Sequence, residues 1–289
     1  MKISDLFQEK TVLSFEVFPP KPSADESIIY KALDELSDLK PDFISVTYGA
    51  GGGKNGSKTI KIASDIKHKY GVESIAHLPC INLSEENAVE ILDSLKENGI
   101  ENILALRGDI SPDTIPNGRF HHADELISFI NQHYDFDIIA ACYPEGHSES
   151  KSIVEDIAHL KHKVDCGVSH LITQLFLDND DFYEFRERME IAGINVPVEA
   201  GIMPVTNKAQ IERMVKHSGI KLPKKFVKMI ERYENNPVAL RDAGIAYAID
   251  QIVDLISHGA DGIHLYTMNN PYIAERIYEA VHRLLAVRC

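Results

Sequence analysis

The chain has no tryptophan and only four cysteines among its 289 residues. Cys80, Cys142, Cys166 and Cys289 stand far apart without a C-x-x-C pair, a pattern that fits neither a disulfide framework nor a zinc ribbon. No apolar run approaches membrane-spanning length, and residues 1–5 begin no signal segment. These absences predict a protein of the reducing cytoplasm, with no bound metal.

Basic residues are also scarce, because 30 Lys and Arg face 44 Asp and Glu, for a net charge of −14. Nucleic acid and anionic membrane surfaces attract clustered positive charge, so neither is expected as the main partner. A small molecule is expected instead. The chain is 44% hydrophobic and has no long Pro/Ser-rich linker, which favours one domain over residues 1–289.

Short runs of β-branched residues alternate with amphipathic stretches along the chain, as in folds whose parallel strands are joined by helices. The predicted strands are 11–18, 42–47, 74–77, 102–106, 137–142, 170–176, 196–202 and 262–266, about the eight that a (β/α)8 TIM barrel needs. The predicted helices include 28–39, 84–98, 150–165, 180–192, 207–217 and 269–285. We expect an extra helix at 221–242, before the last strand.

A doubly wound open sheet would show the same alternation, but the two folds differ in what happens at the strand ends. A barrel gathers the C-terminal ends of its strands around one mouth, whereas an open sheet spreads them along a crevice. Most of the predicted strands end near a polar or reactive residue. The pattern therefore favours a barrel, with these side chains at its mouth: Glu16, Thr47, His77, Asp109, Tyr143, Gln174 and Tyr266.

Glu16 is a carboxylate inside an apolar strand, which is costly unless it is paired or protonated. Side chains alternate along a strand, so if Leu13, Phe15 and Val17 pack on the helices, Glu16 points into the barrel lumen. A dry lumen raises the pKa of a carboxyl group and makes it a usable general acid. The alternative is a structural ion pair, but the predicted strand cores contain no Lys or Arg, so we favour the acid.

The glycine-rich segment 49–57 follows the second strand and suggests a phosphate-binding loop. A Walker loop fails on spacing, because Asn55 follows Gly53 and Lys54 where Ser or Thr is required. The dinucleotide fingerprint also fails, since Lys54 stands at its third glycine position. We expect a mobile loop at the barrel mouth that closes over substrate.

A cluster at Asp156, His159, His162 and Lys163 lies in the predicted helix 150–165 and allows three interpretations. It is a solvated face, a metal site, or a cradle for an anionic cofactor tail. Steps of three residues drift around a helix, which disfavours the metal. Segments 106–109 and 143–147 end the fourth and fifth strands, and each either supplies binding groups or forms an ordinary turn.

Together these segments resemble methylenetetrahydrofolate reductase of the bacterial, single-domain kind. The similarity runs from about residue 14 to 268 and is most specific at SFEVFPP (14–20), SVTYGA (45–50), AHLPC (76–80), ALRGD (105–109), ACYPEGH (141–147), KHKVDCG (161–167) and ITQ (172–174). The resemblance implies a (β/α)8 flavoprotein that binds FAD without a dinucleotide fingerprint. It also implies ping-pong reduction of 5,10-methylenetetrahydrofolate to 5-methyltetrahydrofolate for methionine synthesis, with NADH as donor, by a homo-oligomer.

By the same resemblance, Glu16 is the general acid that protonates N10 of the folate, and Asp109 acts electrostatically beside the flavin and the pterin. The substrate-binding set is Glu16, Thr47, Asp109, Gln174 and Tyr183. The FAD-binding set is Thr47, Tyr48, Ala50, His77, Arg107, Gly108, Asp109, His122, Ala123, Tyr143, His147, Asp156, His159, His162 and Lys163.

The chain departs from the family pattern at several of these positions. Lys208 replaces an aromatic residue that stacks on both substrates, and Asn270 replaces an Arg. His159 and His162 stand where Asn and Arg are usual, and His122 where Tyr is usual. These changes leave open an electron donor other than NADH. A (β/α)8 lyase or aldolase acting on a phosphorylated substrate is the alternative function, although no strand core offers it a lysine.

Overall fold

The computed structural model describes residues 1–21, 23–48, 56–108, 118–218 and 220–287, apart from the side chains of residues 213, 214 and 216–218. The loop predicted at 49–57 falls largely outside the described residues, as do Ala50 and Asp109. The described chain folds into a barrel of parallel strands surrounded by helices.

The strands pair in chain order and close into a complete barrel, which confirms the predicted (β/α)8 architecture. They are β1 (Val12–Val17), β2 (Phe43–Val46), β3 (Glu73–Pro79), β4 (Asn102–Leu106), β5 (Asp137–Cys142), β6 (His170–Thr173), β7 (Val198–Ile202) and β8 (Gly262–Tyr266). β6 ends three residues earlier than predicted, and the chain leaves the sheet before Gln174.

A short 3-10 helix, η1 (Ile3–Gln8), precedes the barrel. The α-helices are α1 (Ser27–Asp38), α2 (Gly56–His68), α3 (Glu85–Glu97), α4 (Ala123–His133), α5 (Ile153–Asp165), α6 (Asn179–Ile191), α7 (Lys208–Ser218), α8 (Lys224–Tyr233), α9 (Pro237–Ser257) and α10 (Pro271–Leu285). The extra helix predicted at 221–242 is correct in kind but wrong in extent, because it comprises α8 and only the start of α9. Asn236 caps α9 and Pro237 occupies its first turn, which separates the two helices.

The predicted alternation in β1 holds, because Leu13, Phe15 and Val17 belong to the large core between the sheet and the helices. The opposite face lines the lumen. The lower lumen is filled by apolar side chains, with Ile3 of η1 packed among them from below: Val12, Phe43, Ile75, Leu104, Ile139 and Ile172. The lumen is therefore a packed core at its base, and polar groups lie above and beside it.

Two glycines on the lumen face make room for large polar neighbours. A Cβ atom at Gly201 would lie 2.9 Å from the Tyr266 hydroxyl oxygen, and one at Gly262 would lie 2.8 Å from Cγ of Glu199. The absence of side chains on these parts of β7 and β8 thus lets Tyr266 and Glu199 occupy the lumen. None of the described helices has both the length and the apolarity needed to cross a membrane.

Candidate active site

Glu16 lies in the upper lumen between two imidazoles. Its Oε2 atom is 3.7 Å from Nε2 of His77 and 3.7 Å from Nε2 of His264. Burial lowers the pKa of His77 to about 4, with the Glu16 charge opposing this shift, so the His77 ring is neutral near pH 7. The carboxyl group therefore faces two nitrogen atoms that can exchange a proton with it, and no lysine or arginine is paired with it among the described residues.

The loop after β8 fixes the end of the strand that carries Glu16. The Thr267 hydroxyl donates a hydrogen bond to the Glu16 carbonyl oxygen at 2.6 Å. The Asn269 side chain accepts from Phe18 N at 3.0 Å and donates to Phe18 O at 2.8 Å. Met268 and Asn269 both have positive φ, at 53° and 54°, a conformation that non-glycine residues adopt only when their surroundings enforce it.

A second carboxyl group, Glu199, lies lower in the lumen. Ser14 Oγ donates to Glu199 Oε1 at 2.7 Å and is 2.6 Å from Nδ1 of His264. Glu199 is fully buried, and desolvation raises its pKa well above the usual 4.5, against the opposing effect of the Ser14 hydrogen bond. A chain of polar groups thus links the upper carboxyl to the lower one.

The sequence predicts a dry environment for Glu16. In the structure the fully buried carboxyl group is that of Glu199. The Glu16 side chain retains 20% of its exposure, whereas the Glu199 side chain has none. Sequence reasoning missed Glu199 and His264, although a carboxylate and an imidazole inside apolar strands are the same signal that identified Glu16. The resemblance had directed attention to Glu16 alone.

Two other predicted substrate contacts, Thr47 and Gln174, directly follow the C-terminal ends of β2 and β6. Thr47 follows β2, and its backbone N–H donates to Val17 O beside Glu16 at 3.0 Å. Gln174 follows β6, and its Oε1 accepts from Leu175 N at 2.9 Å. Tyr266 ends β8 opposite Glu16, and its hydroxyl donates to Thr173 O at 2.7 Å. Each of these three residues therefore stands at or directly after the C-terminal end of a strand.

A cavity of about 410 Å³ opens beside the C-terminal ends of β4 and β5, against α4 and α5. It gathers residues that are widely separated in the sequence. Nine of the residues in the predicted FAD set line it: Arg107, His122, Ala123, Tyr143, His147, Asp156, His159, His162 and Lys163. The cluster on α5 is therefore the wall of a cavity and not only a solvated helix face.

Basic groups in this cavity are held by defined partners. Lys163 Nζ donates to Ala141 O at 3.0 Å, and burial lowers the pKa of this lysine from its usual 10.5. Arg107 pairs with Glu149, with Nη2 donating to Oε1 at 2.9 Å, and this bond lowers the pKa of Glu149. The cavity thus presents cations whose positions are set in advance.

Other parts of the predicted FAD set lie apart from this lining. His77 faces Glu16, and Tyr48 packs against the large core after β2. Gly108 follows β4 with φ of 86°, and a Cβ atom there would lie 3.0 Å from both Pro79 and Ile81. A side chain here would have to displace these neighbours by a few tenths of an ångström, and the positive φ is itself strained for any residue but glycine.

Tyr183 and Lys208 have partners that explain their positions without a ligand. The Tyr183 hydroxyl donates to Asp254 Oδ2 at 2.6 Å, which ties α6 to α9. Lys208 Nζ donates to Glu234 Oε2 at 2.7 Å, between α7 and the end of α8. The described contacts do not bring either side chain together with Glu16.

The fold is a closed (β/α)8 barrel with a carboxyl group in the upper lumen and a polar cavity beside it. This arrangement is typical of an enzyme with a partly buried acid. The family model described as methylenetetrahydrofolate reductase matches residues 2–282. The 5,10-methylenetetrahydrofolate reductase of Pectobacterium carotovorum subsp. carotovorum is 37% identical over 282 residues, which cover 96% of this chain and 91% of that protein. The chain belongs to the methylenetetrahydrofolate reductase family, whose members are oxidoreductases acting on folate.

A plant relative and a solved structure extend the comparison. Methylenetetrahydrofolate reductase (NADH) 1 of Arabidopsis thaliana is 35% identical over 282 residues, covering 91% of this chain and 47% of that protein. An uncharacterized Clostridium thermocellum protein that binds two copies of 5-methyl-5,6,7,8-tetrahydrofolic acid superposes with a TM-score of 0.62 over 99% of both chains. Its identity is 14%, so this likeness shows the fold alone.

Proposed function

We propose that this protein reduces 5,10-methylenetetrahydrofolate to 5-methyltetrahydrofolate through bound FAD, with NADH as electron donor and in a ping-pong sequence. Membership of the methylenetetrahydrofolate reductase family supports the folate chemistry. The observation that carries the mechanism is the position of Glu16 in the upper lumen, between His77 and His264. The cytoplasmic location and homo-oligomeric state stay predictions from the sequence and the resemblance.

Glu16 acts as the general acid in this proposal. Its carboxyl proton goes to N10 of the folate, the bond between N10 and the methylene carbon breaks, and the electron pair of that bond stays on N10. The methylene carbon, now an iminium attached to N5, accepts a hydride. Thr267 and Asn269 hold the strand end, so the carboxyl group is oriented before substrate arrives.

The cavity beside β4 and β5 has groups suited to FAD. Arg107 and Lys163 offer positive charge to a diphosphate, and Tyr143 and His147 form an edge-to-face pair with centroids 4.7 Å apart on the same wall. FAD, when bound, supplies the hydride that passes from the nucleotide to the folate. Asp109, outside the described residues, is proposed to act electrostatically on this transfer.

The electron donor is the least constrained part of the proposal. The name of the Arabidopsis relative specifies NADH, which supports a nicotinamide nucleotide. Lys208 forms an ion pair with Glu234 where the family resemblance implies a stacking aromatic residue. A lysine offers no ring face to the nicotinamide, so a different donor is a specific second candidate. The lyase alternative has no support, because the described lumen residues include no lysine that could form a Schiff base.

The test is to purify the protein, record its absorption spectrum, and add FAD where the preparation is colourless. The holoprotein is then mixed under anaerobic conditions with NADH, NADPH or reduced ferredoxin, and afterwards with 5,10-methylenetetrahydrofolate. We expect flavin bleaching by NADH, followed by return of the yellow colour with folate. A protein that takes up no FAD, or a reduced flavin that folate does not reoxidise, would contradict the proposal.

A further inference from the structure

The polar groups of the lumen form two short chains, one from Ser169 to His170 and one from Glu199 through Ser14 to His264. Ser169 Oγ donates to the Ile138 carbonyl oxygen at 3.1 Å, and a carbonyl can only accept. Because Ser169 has a single hydroxyl proton, its 3.4 Å contact with Nδ1 of His170 requires the proton on Nδ1. The Nε2 atom of the neutral His170 ring is therefore an acceptor.

The same count of available protons applies to Glu199 and to Ser14 and His264 above it. Glu199 Oε2 is 3.8 Å from Nε2 of His170, and both atoms lack a hydrogen-bond partner among the described residues. A protonated Oε2 supplies the donor that this acceptor needs. Ser14 donates its only proton to Glu199 Oε1, so its 2.6 Å contact with His264 requires the proton on Nδ1 of that ring. In this tautomer Nε2 of His264 carries no proton.

That unprotonated nitrogen faces Glu16 Oε2 at 3.7 Å and Ser45 Oγ at 3.5 Å. A protonated Glu16 can donate to it, whereas a carboxylate cannot. The separations of 3.7 and 3.8 Å exceed a hydrogen bond, and catalytic contacts commonly shorten when substrate binds. Ser45 is the donor available to His264 while Glu16 lacks its proton.

We propose that Glu199 is a positioning residue which, through Ser14, holds His264 in the tautomer whose Nε2 accepts a proton from Glu16, so that the network favours the acid form of Glu16. This inference rests on the proposed role of Glu16. It adds a residue that touches neither substrate nor cofactor. The hydrogen bond from Ser14 gives the buried Glu199 carboxyl group a role above the apolar base of the lumen.

The groups around Glu199 and His170 are consistent with both side chains being uncharged. Burial lowers the pKa of His170 to about 4, so this ring does not supply a cation to Glu199 at neutral pH. Asp42 and Asp261 add to the rise in the Glu199 pKa, and Asp137 opposes the fall in that of His170. The aromatic rings of Phe7 and Phe43 border His170, and that of Phe43 also borders His264.

Among the described titratable groups, those that face Glu16 are His77, His264 and Tyr266. The pKa of Tyr266 is raised well above 10 by burial, so its hydroxyl stays neutral over the pH range of the assay. His77 is neutral near pH 7 for the same reason. Neither His77 nor Tyr266 therefore dominates a pH profile measured between about 5.5 and 9.

The test compares Glu199→Met, Glu199→Gln and Ser14→Ala in the FAD-loaded protein. Reoxidation of reduced flavin by methylenetetrahydrofolate is followed by stopped flow across this pH range. Methionine removes the acceptor for Ser14, which then donates to Nδ1 of His264 and turns Nε2 into a donor that stabilises the Glu16 carboxylate. We expect the apparent pKa of this half-reaction to fall by about one unit, which is about tenfold slower reaction at alkaline pH.

Ser14→Ala, which needs no large change in volume, should shift the profile in the same direction. Glutamine keeps both an acceptor for Ser14 and a donor towards His170, so Glu199→Gln should retain the native profile. The ¹⁵N resonances of His264, assigned by their loss in His264→Gln, should show Nδ1 protonated in the native protein and in Glu199→Gln. In Glu199→Met they should show His264 protonated at Nε2, and in Ser14→Ala they should show a mixture of the two tautomers.

The result that overturns the inference is a native pH profile and a native His264 tautomer in both Glu199→Met and Ser14→Ala. If either variant fails to fold, the other decides. Failure of the proposed function looks different, because Glu16→Gln would then reoxidise its flavin with folate at the native rate. If Glu16→Gln reoxidises its flavin slowly, and the pH profiles of Glu199→Met and Ser14→Ala are unshifted, the proposed function stands. Only the positioning role of Glu199 is then rejected.

Discussion

Two glutamates in one lumen have opposite surroundings. Glu16, in the upper lumen, keeps partial exposure and faces two imidazoles, while Glu199, below it, is fully buried beside Ser14 and His170. Burial selects the protonated form of the lower carboxyl. The upper one can exchange a proton with a ligand at the barrel mouth. The position along the barrel axis therefore distinguishes Glu16, which can react with a ligand, from Glu199, which orients neighbouring side chains.

The difference in solvent access between the top and the bottom of the lumen continues down to its apolar base. Below these groups the lumen is closed by apolar side chains, and Ile3 of η1 is fully buried among them. Water reaches the lumen from the mouth, and the base stays packed. Removal from solvent is therefore the main cause of the raised pKa of Glu199, and the Ser14 hydrogen bond opposes it.

The largest effect that tests this comparison is expected from Glu16→Gln. Glutamine retains the size of the side chain but cannot donate an acidic proton to N10. We expect folate-dependent flavin reoxidation to fall by about 10²–10⁴-fold. Flavin reduction by NADH should stay near the native rate, because that step needs no acid at this position. Stopped-flow absorbance of each half-reaction measures both rates, and equal losses in the two would contradict the assignment.

Lys163→Met tests whether the side cavity holds the anionic part of FAD. Removing a charged donor from a preformed site should weaken FAD binding by about 10–100-fold. Fluorescence quenching on titration of FAD into the apoprotein measures the dissociation constant. Lys161→Met is the matched control, since Lys161 lies on the same helix but pairs with Asp165, 2.6 Å away, outside the cavity lining. Similar weakening in both variants would contradict the cavity assignment.

Glu199→Gln should change the pH dependence of stability. A carboxyl group whose pKa is raised in the folded state contributes its full stability below the unfolded pKa, near 4.5, and loses it as pH rises towards the folded pKa. Glutamine does not titrate. The variant should therefore gain stability over the native protein by about 1.4 kcal/mol for each pH unit above 4.5 until that folded pKa is reached.

Urea denaturation at pH 5, 6, 7 and 8 measures this gain. Glu97→Gln, at an exposed carboxylate on α3, is the control and should show no such trend. A constant difference between Glu199→Gln and the native protein across these pH values would mean that Glu199 is ionised in the fold.

The smallest effect is expected from the double variant His159→Asn with His162→Arg. Arginine keeps its charge at every pH used here, which an imidazole in general does not. The cavity lining contains four carboxylates and three Lys or Arg residues: Asp124, Glu149, Glu155, Asp156, Arg107, Lys151 and Lys163. A permanent charge should tighten FAD binding about three- to tenfold at pH 8 and less at pH 6. His133→Arg, on α4 away from the lining, is the control. Weaker binding at pH 8 would contradict this account.

Strand order and lumen orientation could be predicted from the sequence because they depend on local patterns. Alternation in β1 placed Glu16 correctly in the lumen, and β4, β5 and β8 match their predicted bounds. The division between α8 and α9 was missed, since the 221–242 stretch is helical on both sides of Asn236. Hydrogen bonds between distant strands, such as Ser14 to Glu199, depend on barrel closure, which no local pattern encodes.

The candidate site shows the same limit. The cavity lining matches the resemblance at nine positions, but the pairing of Arg107 with Glu149 depends on loops that meet only in the folded chain. The loop with positive φ at Met268 and Asn269 likewise meets Phe18, on another strand's end, only in the folded chain. Sequence identifies the groups, and closure of the barrel decides which of them touch.

The most direct test of the central claim is an infrared difference spectrum of the carboxyl C=O stretch, recorded before and immediately after one turnover of reduced enzyme with methylenetetrahydrofolate. We predict loss of a protonated-carboxyl band in the native protein and in Glu199→Gln, and no such loss in Glu16→Gln. That result would show the proton leaving the upper carboxyl while the lower one keeps its own. Loss of the protonated-carboxyl band in Glu16→Gln, together with no loss of it in Glu199→Gln, would contradict the account.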